Sequence, residues 1–317
     1  QPFFMQINFK QTHRTFVRDP NRPIDPKDVT LPPYYPDHPI TRRDWADYLE
    51  SAQVLDRLVG KVLQRLEEDG LADSTVVFFF ADNGRPHIRG KQFLYEGGIH
   101  IPLIIRWPGH IKQGIVVEDM VSAIDFAPTC MDLAGIPIPS FLHGKSFLGP
   151  HASSRQYIVA ARDRCDETYD RIRCIRDRRF KYIRNFYPHL PFMQPNMYKY
   201  RQYPVWTLIQ VLYAEGSLSP EQSSFVAPCR PPEELYDLER DPHETKNLVG
   251  DPAYRDVLQK MRKRLEDWIA STGDKGEEPE DPRIAAKMFL KRHLPSTERA
   301  MKARGLKLFP SPKEYLK

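Results

Sequence analysis

Thr75–Gly109 reads TVVFFFADNGRPHIRGKQFLYEGGIHIPLIIRWPG. Two apolar runs, VVFFFA and IHIPLII, flank a stretch in which Asp82, Asn83, His87, Arg89 and Lys91 fall within ten positions. Each run is strand-sized, rich in β-branched and aromatic residues, and free of polar alternation, which is the pattern of a strand covered on both faces. In open α/β sheets ligands bind beyond the carboxyl ends of the strands, and Asp82-Asn83 sit where the first run ends. The stretch therefore predicts both a sheet and the edge of a site.

Upstream, Trp45, Tyr48, Ala52, Leu55, Val59, Val62, Leu63 and Leu66 recur at three- and four-residue steps, so Arg42–Glu68 is expected to be an amphipathic helix stopped by Gly70. Before it lie PFFMQINF, read as a strand, the turn KQTHR with His13, and a proline-rich excursion from Pro20 to Pro39. Downstream, SAIDFAPTCMDLAGI predicts a helix with Asp125 as N-cap and Gly135 at its end. Helix alternating with buried strand implies crossover units. Residues 1–150 are accordingly expected to be the later half of an α/β domain, a three-layer α/β/α sandwich with a mostly parallel sheet.

After HGKSFLG the pattern changes. RQYIVAA, RIRCIRD and RFKYIRN are short alternating strands, the last two joined at Asp177-Arg178 as a hairpin. Pro252–Ser271 places Val257, Leu258, Met261, Leu265, Trp268 and Ile269 on one face of a helix, with Asp251 set to cap it. Residues 151–275 thus read as a smaller α+β subdomain, an antiparallel sheet with one covering helix, and 276–317 as a basic tail.

At 317 residues and 40% hydrophobic content, the chain is long enough to bury a sizeable core. No apolar run reaches membrane-spanning length. The chain opens on Gln1 without the pattern of a secretory signal, and reads as the middle of a protein. Cys130, Cys165, Cys174 and Cys229 form no CxxC pair, which argues against a zinc knuckle or a dense disulfide frame. The net charge of +5 belongs to the end of the chain, where ten Lys/Arg stand against two Glu from Arg283 onward. Such a tail reads as a solvated arm; no nucleic-acid-binding motif accompanies it.

The chemistry of the opening stretch has two readings. A carboxylate beside an amide carbonyl supplies hard oxygens suited to Ca²⁺ or Mg²⁺. Lys91 and Arg89 would bring cations to an oxyanion, and His13, after another expected strand, would serve as a general acid. Equally, Asp-Asn-Gly after a strand is ordinary turn chemistry.

TVVFFFADNG and GKQFLYEGGIHIPLIIRWPG, preceded by VLDRLVGKVLQRLEEDGLADST and followed by SAIDFAPTCMDLAGI, resemble the formylglycine-dependent sulfatases of the alkaline-phosphatase superfamily. The later stretches CIRDRRFKYIRN, PPEELYDLERDPHETKNL and LEDWIASTGD look most like the N-sulfoglucosamine sulfohydrolase group and its bacterial relatives. The resemblance runs from Pro2 to about Asp274. It implies that Asp82 and Asn83 are two ligands of one Ca²⁺, with Mg²⁺ as the substitute, and that Lys91 neutralises the sulfate. It further implies that His13 helps protonate the leaving group, although Gln11-Thr12 replaces the Asp-Pro that precedes this histidine in relatives. His87 and Arg89 read as substrate contacts or as exposed turn residues, and Arg184–Trp206 as a border of the substrate pocket or a packed loop.

The resemblance also exposes an absence. The family nucleophile comes from a C-x-P/A-x-R segment, and no cysteine here lies in one; CIRDR at Cys174 and CRPPE at Cys229 are near-misses. The chain is therefore expected to be the later part of a sulfatase, inactive alone, whose formylglycine lies upstream. The expected whole protein releases sulfate from a sulfated, glycosaminoglycan-type sugar, in the bacterial periplasm or outside the cell ahead of a lysosome. The alternatives are a phosphodiesterase or phosphonate hydrolase of the same superfamily, or a non-catalytic polyanion-binding fragment.

Overall fold

The computed structural model describes residues 2–278 without a break, together with scattered positions between 281 and 302. The basic tail therefore falls for the most part outside the described residues. Among those described, no helix is long and apolar enough to cross a membrane.

Helix α1 spans Pro39–Glu68, with proline at its first turn and the His38 side chain accepting from the Ile40 amide. It starts three residues before the expected Arg42, because a proline with its fixed φ and no N–H is suited to the position where no intrahelical bond is needed. Gly70, at φ +66°, ends it as expected. Strand β1, Val77–Phe80, pairs with β2, Leu103–Arg106.

That pairing is antiparallel, with Phe78 opposite Ile105. The molecule is mixed α and β, but the parallel layer expected from the two apolar runs is not formed among the described residues. A parallel return needs a crossover. The link between the two runs instead contains one helical turn, α2 at Glu96–Ile99, and doubles back on itself, the Gly84 amide donating to the Gly98 carbonyl at 3.0 Å. Nor are both faces covered. Phe78 and Phe80 meet Phe147 and Phe126, whereas Ile104 is 62% exposed.

PFFMQINF, expected as a strand, forms no ladder, and Phe4 is 81% exposed. Strand character depends on a partner edge, and no described strand runs beside residues 2–9. At helix α3, Phe126–Leu133, Asp125 stands at the expected N-cap position but makes no side-chain cap bond to the helix. Ser122 caps a preceding 3₁₀ turn, and Asp125 returns the bond as the acidic member of the capping box. The Asp125 carboxylate is thus engaged at the Ser122 amide, and it also accepts from the Lys145 amide and Arg155.

The second sheet follows the sequence more closely. Strands β3 (Ile158–Cys165), β4 (Thr168–Arg176), β5 (Phe180–Asn185) and β6 (Glu233–Asp237) pair antiparallel in that order. The β4–β5 hairpin turns where expected, with the Asp177 carboxylate accepting from the Arg179 and Phe180 amides. Between β5 and β6 lie three helices that the proline- and aromatic-rich sequence did not reveal, α4 (Met197–Gln202), α5 (Pro204–Ala214) and α6 (Pro220–Ser223).

Alternation along the strands divides the interior in two. Ile175, Tyr182 and Leu235 face helix α7, Arg255–Thr272, through Leu258, Met261 and Leu265. Ile172, Cys174, Ile183 and Tyr236 face the larger core, which takes Trp45 from α1, Ile88 and Phe93 from the link after β1, and Trp206 and Ile209 from α5. One core thus draws on residues from both sides of position 150. It clamps the link that bears the candidate site.

Candidate active site

The link Ala81–Pro102 is shaped by backbone contacts only glycine permits. A Cβ on Gly84 would stand 2.2 Å from the Gly97 carbonyl oxygen, and one on Gly98 2.0 Å from that of Phe93. Both are far inside contact distance, so the GGI and DNG motifs are steric requirements of one doubled loop.

A buried ionic lock seats the loop on the second sheet. Lys181 of β5 is fully buried, its Nζ 2.7 Å from both Glu96 Oε1 and Glu244 Oε1. Glu244 in turn accepts from the Glu96 amide at 2.6 Å, and Arg176 adds two contacts to Glu96 at 3.2 Å. Tyr95 and Tyr236 both donate to Glu234. Glu234, Tyr236 and Glu244, all in the stretch ELYDLERDPHETKNL, therefore serve as scaffold for the loop.

At the mouth of the loop Asp82 is exposed and Asn83 half-buried. Their hard oxygens suit Ca²⁺ or Mg²⁺, but they are two of the six to eight that Ca²⁺ takes. Among the described residues no three His, Cys, Asp or Glu side chains gather as a metal site. The donors present fit the ion's chemistry and would supply part of a shell.

His87 and Arg89, candidates for substrate contact, are 1% and 4% exposed. His87 stacks on Trp45 at 4.5 Å and on Phe16 at 5.6 Å, and neither ring nitrogen has a hydrogen-bond partner. Arg89 donates to the Glu244 carbonyl at 2.7 Å and lies over the Tyr34 and Tyr95 rings. Both anchor the loop, out of reach of a ligand in solvent. The correction has a physical source, since polar residues in a Gly/Pro-rich turn look solvated until the elements that pack on them are known.

Burial, reinforced by Arg14 and Arg85, pushes the His87 imidazole well below its usual range. An imidazole whose folded pKa is depressed stays neutral while the unfolded chain takes up a proton, so stability is lost as pH falls below about 6.5. His87→Leu is expected to flatten this dependence, recovering about 1.4 kcal/mol of the acid penalty at pH 5.5 relative to pH 7.5. Thermal midpoints at the two pH values check it, and an unchanged pH slope would refute it.

His13 is exposed, and its neighbour Arg14 is buried. The Arg14 guanidinium pairs bidentately with Asp44 of α1 at 2.6 and 2.5 Å and donates to the carbonyls of Pro86 and Gln202. One residue thereby ties the His13 segment to α1, to the loop after β1 and to α4. His13 Nδ1 faces the Arg14 carbonyl, while Nε2 lies 3.5 Å from the Tyr198 hydroxyl. Lys91 is half-buried, its Nζ 6.0 Å from the Tyr198 ring centre. The structure therefore gathers His13 and Lys91 around Tyr198, a residue of the segment read at sequence level as a pocket border or packed loop.

None of the cysteines is placed as a nucleophile. All four are free thiols, and burial pushes the Cys174 thiol up to about 12. A thiol so protonated is inert.

The family model described as Sulfatase matches residues 1–136, and that described as N-sulphoglucosamine sulphohydrolase, C-terminal, matches residues 87–205. An ulvan-active sulfatase of Formosa agariphila is 38% identical over 80% of this chain and 43% of its own length. The human N-sulphoglucosamine sulphohydrolase is 29% identical over 86% of this chain and 62% of its own. A solved structure described as a 2-O GAG sulfatase shares the fold with a TM-score of 0.56 at 23% identity, covering 82% of this chain and 54% of that one. The chain spans about half the length of the curated relatives it matches.

Proposed function

The chain belongs to the sulfatase family, and on that premise we propose that it forms part of an enzyme that hydrolyses sulfate esters or sulfamates on a sulfated polysaccharide or glycosaminoglycan-type sugar. The observation that supports this most directly is the convergence of His13 and Lys91 on one side of α4, with Asp82-Asn83 at the end of β1 in the same loop as Lys91.

In this reading Lys91 places a fixed ammonium beside the sulfuryl oxygens, where charge builds as the S–O or S–N bond breaks. Such preorganised charge is commonly the largest catalytic contribution. His13, with Nδ1 turned to the Arg14 carbonyl, presents Nε2 as the proton donor to the departing oxygen or nitrogen. Asp82 and Asn83 would contribute oxygens to a Ca²⁺ or Mg²⁺, which would supply further positive charge at the sulfate. The attacking group would be a formylglycine, and none of the four cysteines described here is its source. The substrate class follows the relatives, one described as ulvan-active and one as an N-sulphoglucosamine sulphohydrolase.

The test uses the full-length natural protein, incubated with N-sulfated and O-sulfated glycosaminoglycan disaccharides and sulfated ulvan oligosaccharides, with released sulfate measured by ion chromatography. Sulfate release by the wild type, falling about a hundredfold in Lys91→Ala, is expected. Hydrolysis of a phosphonate monoester or phosphodiester without sulfate release would replace this reading with that of the related phosphorus hydrolases.

A further inference from the structure

Helix α4 is fastened at both ends to the segments that bear the candidate catalytic residues. Asn196 caps it by accepting from the Lys199 amide at 3.0 Å, and donates to Thr168 Oγ1 at 3.1 Å. Lys199, 1% exposed, donates from Nζ to the Lys91 backbone carbonyl at 3.2 Å and sits among the Phe93, Tyr203 and Trp206 rings at 4.8–5.0 Å. At the far end the Gln202 carbonyl accepts from Arg14 at 2.7 Å. Tyr198, next to Lys199 in the first turn of the helix, is half-buried, its ring edge-on to Tyr203 at 5.3 Å.

We propose that Tyr198 is a positioning residue of this site, its hydroxyl orienting His13 Nε2 toward the leaving atom and its ring face steadying the Lys91 ammonium. The inference rests on the sulfatase reading above. With Nδ1 directed at the Arg14 carbonyl, the outward nitrogen is Nε2, and the Tyr198 hydroxyl is the group placed against it. At 3.5 Å this contact is at the long limit of a hydrogen bond, so a leaving oxygen can take its place without a large loss. A cation near an aromatic face is attracted to the ring quadrupole, which favours the observed side of Tyr198 for Lys91. The two contacts can be separated: phenylalanine keeps the ring for Lys91 and removes the hydroxyl from His13.

Leaving-group chemistry separates this role from a merely structural one. A nitrophenolate departs without a proton donor, whereas a sugar alkoxide needs one, so a defect in His13 orientation should appear on the sugar substrate alone. The full-length enzyme is assayed on 4-nitrophenyl sulfate and on the sulfated sugar it cleaves best, as wild type, His13→Ala, Tyr198→Phe and Tyr200→Phe. Tyr200 is exposed on the same helix and serves as the control.

Tyr198→Phe is expected to lose roughly tenfold in kcat on the sugar with little change in KM, to change by less than about twofold on the aryl ester, and to follow the selectivity of His13→Ala. Equal losses on both substrates, or no loss on either, overturn the proposal. Should His13→Ala itself lose equally on both, the acid assignment of His13 falls. Tyr198 is then judged by the ¹⁵N resonances of the His13 ring in the full-length protein, which the proposal requires to move in Tyr198→Phe and which overturn it if unmoved.

Discussion

Lys181→Ala is expected to cost the protein about 3–5 kcal/mol, the loss typical when one member of a buried ionic cluster is removed and the rest stays behind. The ammonium is 0% exposed and lies 2.7 Å from two carboxylates, of which Glu244 is itself 3% exposed. Without it Glu244 loses its ammonium partner and faces Glu96, which keeps only Arg176 and His100 on its own side, in an environment too poor in water to screen the repulsion. For a protein of this size the thermal midpoint should fall by roughly 10 °C. A fall of less than about 2 °C would mean that the lock contributes no more than a surface pair.

The same variant, less stable throughout, should lose less further stability in acid. Burial acts to raise the Glu96 carboxyl, but His100, Lys181 and Arg176 together hold it far below the usual carboxylate range. A depressed carboxyl contributes stability that is fully present above its unfolded value of 4.5 and lost as pH falls through the folded one. Removing Lys181 weakens one of the three holds, so the folded Glu96 carboxyl moves back toward 4.5 and the variant has less stability to lose as pH falls below that value. Thermal midpoints between about pH 6 and 2.5, the window below the unfolded carboxyl value, measure it. Parallel curves for the two proteins would refute it.

Asp44→Ala is the second large effect, again about 3–5 kcal/mol, because it strands a guanidinium whose side chain is 4% exposed. Burial raises the Asp44 carboxyl even against the pull of Arg14, which shows how costly the pair is to desolvate and how little a lone Arg14 would be tolerated there. The consequence reaches function, since Arg14 is the residue next to His13 and joins it to Pro86 and Gln202. Asp44→Leu with Arg14→Met should recover most of the lost stability, as apolar replacements of buried pairs do, yet leave the activity of the full-length enzyme low. Denaturant midpoints and sulfate release, measured on the single and double variants, separate the two effects. Full recovery of activity in the double variant would show that the pair does not orient His13.

Linear periodicity revealed the elements whose apolar stripe repeats at a fixed step. Helix α1, helix α7 with the Asp251-capped 3₁₀ turn that leads into it and Gly273 at φ +60°, and the β4–β5 turn at Asp177 all follow from local chemistry that operates within a few residues. Helices α4 and α5 escaped because their segment is crowded with prolines and aromatics, although Val205, Trp206 and Ile209 do share a buried stripe. Strand direction escaped too, since the runs before and after the loop have the same composition whichever way they pair.

The sequence by itself determined the family and the set of chemically able residues, because motif order and residue type are written in it. His13, Asp82, Asn83 and Lys91 could be named from the chain alone. What each polar residue faces was decided only by tertiary structure, because its partners lie far along the chain: Asp44 is 30 positions from Arg14, Glu244 155 from Arg89, and Tyr198 185 from His13. Desolvation, which turned His87 and Arg89 from candidate ligands into anchors, is a property of the packed interior, and no local pattern encodes it.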